Sequence, residues 1–265
     1  MNILFDFDYN NLLFTALVSF GVQAFFFAFA STFKTDKLTD LVYGMTFIIL
    51  AALFLFLPEH LSERNILIMA LIIIWGLRLA AYLFARILKI KHDARFDGRR
   101  ENFLNFLAFW SFQGAVIFIA FMPGNMVGSS DSQSALGLLD YIGAGMWLVG
   151  FIIETVADAQ KFAFRNKPEN KGKFMGSGLF KYSRYPNYFG EILLWWGIFV
   201  IGIPVYEGLQ WLAVLGPLFI TFILLKVSGI PLLEESSEKR YGHMPEFQAY
   251  RKNTSLLIPL PPGRA

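Results

Sequence analysis

Three sets of polar side chains stand at helical spacing inside otherwise apolar stretches of this chain. Trp75, Arg78, Tyr82 and Arg86 recur every three or four residues, which puts them on one face of a helix. Glu154, Asp158, Lys161 and Arg165 make a second stripe, and Arg184, Asn187, Glu191 and Trp195 a third. Each stripe carries its basic residues at one end, while Glu154 and Glu191 lie deeper in apolar sequence. Ionisable groups are costly inside a bilayer and collect around cavities and bundle interiors. The gradient therefore suits a ligand with an anionic end at the membrane boundary and a neutral, reactive end inside. A phosphate-bearing cofactor would meet guanidinium and ammonium groups at that boundary, where charge-assisted pairing is strong. Pro186 is well placed to open the helix that carries Asn187 and Glu191, because a first helical turn does not need its N–H.

The elements that must position these stripes follow from composition. The chain has 265 residues, 55% of them hydrophobic and 16% charged, with thirty Phe and no Cys. An ordinary soluble domain is about 25% charged, so composition points to an all-α integral membrane bundle. The lack of Cys excludes disulfides, thiolate metal sites and a Cys nucleophile. His60, His92 and His243 are too dispersed for a His-built metal site, and no metal is expected. Apolar runs long enough to cross a bilayer occupy residues 12–33, 41–57, 65–84, 103–122, 138–157, 188–205 and 209–228. The first is too long for a signal peptide and reads as a retained helix. The loops after the first, third and fifth runs, together with the tail, hold 21 of the 23 Lys and Arg residues. Positive charge stays in the cytoplasm, so the N-terminus is expected outside and the C-terminus inside. That topology accounts for the basic residues without nucleic acid. No internal repeat supports a transporter of inverted halves. The expected organisation is one membrane-embedded domain over residues 1–265.

The densest motif runs from Ala157 to Gly197, ADAQKFAFRNKPENKGKFMGSGLFKYSRYPNYFGEILLWWG. With WGLRLAAYLFAR (75–86), HDARF (92–96), SGIPLLEESSEKRYG (228–242) and EFQAYRKNTSLLIPLPP (246–262), it resembles the bacterial branch of the steroid 5-alpha-reductase-like membrane proteins. The likeness covers most of residues 75–262 and marks that stretch as the cofactor-binding region. The wider superfamily includes sterol reductases and isoprenylcysteine or phospholipid methyltransferases. Asn187 before Tyr188, with Glu191 after Gly190, is the reductase form of the shared element. Tyr185 replaces the usual His. Phe54-Leu55-Phe56-Leu57-Pro58 lacks the acid that steroid reductases carry there, and Glu59 follows the Pro at the expected outer surface.

The resemblance implies an NADPH-dependent reductase of a C=C bond in a steroid- or enone-type lipid taken from the bilayer, in a bacterial inner membrane. It sets the NADPH phosphates against Arg86, Arg95, Arg165, Lys171 and Arg184, with Arg78 also on the cofactor-binding face. Asp158, Tyr182, Asn187 and Glu191 are its matched positions for the ribose, nicotinamide and linking groups. No G-x-G-x-x-G turn is present, so a Rossmann domain does not bind the cofactor. Reduction of a conjugated C=C also needs a proton donor. Tyr82 and Glu154 are the candidates from spacing, which with Glu191 makes the catalytic set Tyr82, Glu154 and Glu191. Two alternatives stay open: an S-adenosylmethionine-dependent lipid methyltransferase, and a non-enzymatic lipid-binding or transport protein. Residues 170–178 read either as a cover for the nucleotide or as an ordinary loop. The tail reads either as a closure bringing Tyr241 or Tyr250 to the nucleotide or as an interfacial anchor.

Overall fold

The computed structural model describes residues 3, 7–58, 60–90, 96–132 and 134–263. Its α-helices are α1 (Leu12–Thr32), α2 (Thr39–Phe56), α3 (Glu63–Ile90), α4 (Phe103–Ala120), α5 (Met122–Gly128), α6 (Leu138–Asn166), α7 (Pro186–Gly202), α8 (Leu215–Phe222), α9 (Ile230–Tyr241) and α10 (Pro245–Asn253). Among the described residues there is no strand, only one isolated parallel bridge between Ser183 and Ser255. Among the described residues, seven helical segments are long and apolar enough to cross a membrane, at the seven runs read from the sequence. The protein is an all-α integral membrane protein.

Two of the helices outrun their apolar stretches. The third reaches Ile90 rather than residue 84, and the sixth reaches Asn166 rather than residue 157. Intrahelical hydrogen bonds continue regardless of side-chain polarity, so Arg86 and the Asp158–Arg165 stripe lie on true helix. The seventh run is not one α-helix. It begins as a 3-10 segment, Gly208–Val214, becomes α8, and passes through a π-helical turn, Ile223–Val227. Pro231 in the first turn then opens α9.

The chain divides into two compact units: residues 1–143 with 198–216, and 144–197 with 217–265. In the first unit α2 packs along α3 and α1 along α4. Between apolar helices in lipid, close packing and internal hydrogen bonds replace the hydrophobic drive of a water-soluble core. A Cβ on Gly44 would lie 3.2 Å from the Gly76 carbonyl oxygen, so α2 and α3 touch backbone to backbone. Gln23 Nε2 donates to Thr46 Oγ1 at 2.9 Å and Gln113 Nε2 to the Thr39 carbonyl at 2.9 Å, tying α1 and α4 to α2. At the start of α3, buried Arg64 pairs with buried Asp140, Nε to Oδ1 at 2.7 Å and Nη2 to Oδ2 at 2.9 Å.

In the second unit the later part of α6 crosses the earlier part of α7 at two glycines. A Cβ on Gly190 would sit 2.5 Å from the Gly150 carbonyl oxygen and 2.6 Å from the Glu154 amide nitrogen. No side chain fits there, and the crossing lies next to Glu154 and Glu191. Gly190→Ala is therefore expected to force the helices apart, costing about 1–3 kcal/mol as overpacking. Thermal unfolding in detergent reads this as a drop of several degrees, and an unchanged transition would contradict the crossing.

Candidate functional site

The second unit holds a pocket of about 400 Å³, within the size range of small-molecule sites. The end of α6 supplies Lys161 and Arg165, and the following loop supplies Lys171, Lys173, Phe174 and Met175. Arg184 and Tyr185 come from the approach to α7, while α9 gives Glu234, Ser237, Arg240 and Tyr241 and α10 gives Phe247 and Tyr250. Six cations and one carboxylate thus share the wall with a group of aromatic rings.

Local hydrogen bonds fix the wall. Gln160 Oε1 accepts from the Leu179 amide at 2.9 Å, and the Tyr250 hydroxyl donates to the Phe180 carbonyl at 2.7 Å. Phe174 lies with its ring centroid 5.3 Å from those of Phe247 and Tyr250 and 6.2 Å from that of Tyr241. Of the segment 170–178, residues 170–175 line the pocket. Burial pushes the Tyr250 phenol well above its ordinary range, which keeps it a hydrogen-bond donor.

The tail closes the same region from beneath. The Arg184 amide donates to the Ser255 carbonyl at 2.8 Å, Ser183 Oγ to the Leu257 carbonyl at 2.7 Å, and the Leu260 amide to the Tyr182 carbonyl at 3.0 Å. These bonds hold the segment that delivers Arg184 and Tyr185 to the first turn of α7.

Glu234 is the hub of the polar contacts. Its Oε1 accepts from the Tyr185 hydroxyl at 2.6 Å, and its Oε2 pairs with Arg184 Nη1 and, at 3.3 Å, with Arg251 Nε. Burial first, and then the bond to Glu234, push the Tyr185 phenol far above its ordinary range. The hydroxyl that stands where a His was expected is a permanent donor. Sequence reasoning missed Glu234, although a signal was present: once Pro231 starts a helix, Glu234, Ser237 and Tyr241 share one face.

Most of the predicted residues of this unit fall on two converging stripes. Lys161, Arg165, Lys171 and Arg184 line the pocket itself. Asp158 and Glu154 follow deeper along α6, both buried, and Asn187 and Glu191 follow along α7 toward the glycine crossing. The Arg184 Nε and Asn187 Oδ1 atoms are buried without a hydrogen-bond partner. Tyr182 departs from its predicted role. The residue is 42% exposed and does not line the pocket: it caps the 3-10 turn Gly178–Lys181 with helical backbone angles, and the next residue, Ser183, is the buried one.

Arg78, Tyr82 and Arg86 belong to the first unit. The Arg78 guanidinium lies over the Tyr82 ring, 5.4 Å from its centroid. Arg86 Nη2 binds Asp40 Oδ2 at 2.7 Å, a partner on α2 that the spacing could not reveal. Arg95 and Glu59 lie outside the described residues.

A family described as "Protein of unknown function (DUF1295)" matches residues 26–254, a range that contains every residue lining the pocket. Over 118 residues the chain is 31% identical to 3-oxo-5-alpha-steroid 4-dehydrogenase 1 of Macaca fascicularis. It is 30% identical to the protein of the same name from Homo sapiens; each alignment covers 44% of this chain and 40% of the relative. An uncharacterized protein of Schizosaccharomyces pombe is 25% identical over 166 residues, 54% of this chain and 43% of that one. The chain thus spans less than half the length of these curated relatives. No solved structure matches it.

Proposed function

We propose that this chain, which belongs to the steroid 5-alpha-reductase-like family DUF1295, is a membrane reductase that binds NADPH in the pocket of the second unit and reduces a C=C bond of a hydrophobic, enone-type lipid. The observation that carries this reading is the pocket's polarity: cations and aromatic rings at its wall, with amide and acidic side chains on the two helices that lead from it. The similarity to two proteins named 3-oxo-5-alpha-steroid 4-dehydrogenase 1 supports an oxidoreductase.

The residues present fit such a cofactor. Lys161, Arg165, Lys171, Lys173 and Arg240 would receive its phosphates, and the rings of Phe174, Tyr241 and Tyr250 offer apolar faces to a base. Asn187 Oδ1 has the acceptor a carboxamide N–H requires, and Arg184 Nε is a donor in need of an acceptor. When bound, NADPH supplies hydride. The protein's part is to fix the ring face that donates it, through Asn187 and Glu191 one turn apart on α7, because transfer depends on near-attack geometry. Within this unit Glu154 is the proton-donor candidate, acting only if protonated. The substrate would enter laterally from the bilayer, and the distribution of basic loops supports a pocket facing the cytoplasm, in what the family resemblance implies is a bacterial inner membrane.

Calorimetry on detergent-purified protein with NADPH, NADH and S-adenosylmethionine tests the reading, with Asn187→Ala and Glu191→Gln as controls. NADPH is expected to bind at least about tenfold more tightly than NADH, since charged hydrogen bonds to one phosphate are worth about 1.5–3 kcal/mol. Both variants are expected to weaken NADPH binding. Binding of S-adenosylmethionine without NADPH would overturn the reductase in favour of a methyltransferase. No binding of any of them would leave a lipid-binding or transport protein.

A further inference from the structure

We propose that Glu234 is the specificity-determining residue of the pocket: a built-in anion that occupies Arg184 and Arg251, so that simple phosphates bind poorly. The inference rests on reading the pocket as a phosphate site, and not on which nucleotide fills it. A wall with Lys161, Arg165, Lys171, Lys173, Arg184 and Arg240 would otherwise hold any multivalent anion. Glu234 changes that by taking one wall cation, Arg184, out of service and by holding Arg251, which does not line the pocket. Its Oε2 carries both Arg184 Nη1 and Arg251 Nε, while Oε1 is held by the Tyr185 hydroxyl at 2.6 Å. A second acid strengthens the hold, since Arg251 Nη1 also binds Glu238 Oε2 at 2.7 Å.

The carboxylate is fixed in place by a neutral donor as well as by charge, and only 19% of its side chain is exposed. It therefore cannot swing into water as an anion arrives. An incoming phosphate meets its negative charge directly and must either leave Arg184 with Glu234 or break that pair. Inorganic anions have nothing with which to offset this repulsion. A ligand that also stacks on the aromatic wall or bonds to Asn187 does. The acid thus trades raw anion affinity for discrimination, a repulsive element of the kind specific sites use. It also confines the ligand's phosphates to the side of the pocket lined by Lys161, Arg165, Lys171 and Lys173.

The test is calorimetric binding of inorganic pyrophosphate to the full-length, detergent-purified protein and to Glu234→Gln, at fixed low salt. Removing a like charge at contact range is expected to tighten pyrophosphate about fivefold or more, with a steeper salt dependence. Glu235→Gln, which removes the neighbouring exposed carboxylate that pairs with Lys239 and does not line the pocket, is expected to stay within about twofold of the wild type. A merely structural Glu234 predicts the reverse, because loosening the wall can only weaken binding. Unchanged or weaker binding in Glu234→Gln, or no binding by either protein, overturns the proposal. If the Gln variant does not fold, Glu234→Asp draws the carboxylate back by one methylene and is expected to tighten pyrophosphate by a smaller factor; equal or weaker binding again overturns it. The two readings fail separately. Tightened pyrophosphate without wild-type NADPH binding removes the nucleotide and keeps the role of Glu234. NADPH binding without tightened pyrophosphate does the opposite.

Discussion

A chain ending at Asn253 is expected to bind NADPH at least about a hundredfold more weakly than the whole protein, if it binds it at all. The residues removed make no direct wall of the pocket. Their importance is that Ser255, Leu257 and Leu260 hold residues 182–184 through three hydrogen bonds of 2.7–3.0 Å. Such bonds contribute about 1 kcal/mol each, and roughly 3 kcal/mol of lost order is about a hundredfold in the population of the competent segment. Arg184 and Tyr185 depend on that segment for their approach to Glu234. Ser183→Ala is the finer probe. It removes the hydroxyl that both donates to the Leu257 carbonyl and accepts from the Tyr185 amide at 3.1 Å, and it is expected to weaken NADPH about tenfold. Calorimetry checks both. Full affinity in the truncated protein would mean that the segment orders itself without the tail.

Asp140→Ala is expected to lower stability by about 3–5 kcal/mol, the cost of leaving one member of a buried ion pair alone. Arg64 and Asp140 are each about 1% exposed, and three further contacts complete the arrangement. Arg64 Nη1 donates to Ser134 Oγ at 2.8 Å and Nη2 to the Ala135 carbonyl at 3.3 Å, while the Gly137 amide donates to Asp140 Oδ2 at 2.7 Å. The pair anchors the 134–140 turn to the start of α3. Arg64→Met combined with Asp140→Leu should recover much of the loss, because removing both charges removes the desolvation penalty with the attraction. Denaturant unfolding in detergent measures the three proteins. Equal stability of Asp140→Ala and wild type would show that the guanidinium finds water or another acceptor on its own.

Arg64 also illustrates how differently two kinds of information were written in the chain. Counting charges marked it as the one basic residue between the second and third apolar runs, without hinting that an acid 76 positions later would neutralise it. The same holds for Arg86 with Asp40 and for Arg184 with Glu234. Each guanidinium was legible as a polar residue at an apolar boundary. Asp40 and Glu234 lay in polar stretches, where one acid looks like any other, and Asp140 lay near the start of an apolar run with nothing to name its partner. Tyr182 differs in the opposite direction: its place in the dense 157–197 motif suggested a role, and its position as the cap of a 3-10 turn leaves it off the pocket wall.

Hydropathy and helical period were sufficient to determine seven spans and the three polar stripes, because both are properties of contiguous sequence and the bilayer imposes helix on every apolar run. The tertiary structure alone decided that the seventh run breaks into 3-10, α and π segments, that α6 and α7 meet at Gly150 and Gly190, and that Glu234 commands the pocket. Those outcomes depend on which surfaces meet. Glu234 and Tyr185 stand 49 residues apart in the chain and 2.6 Å apart in space, a pairing that only the packing of α9 against the approach to α7 brings about.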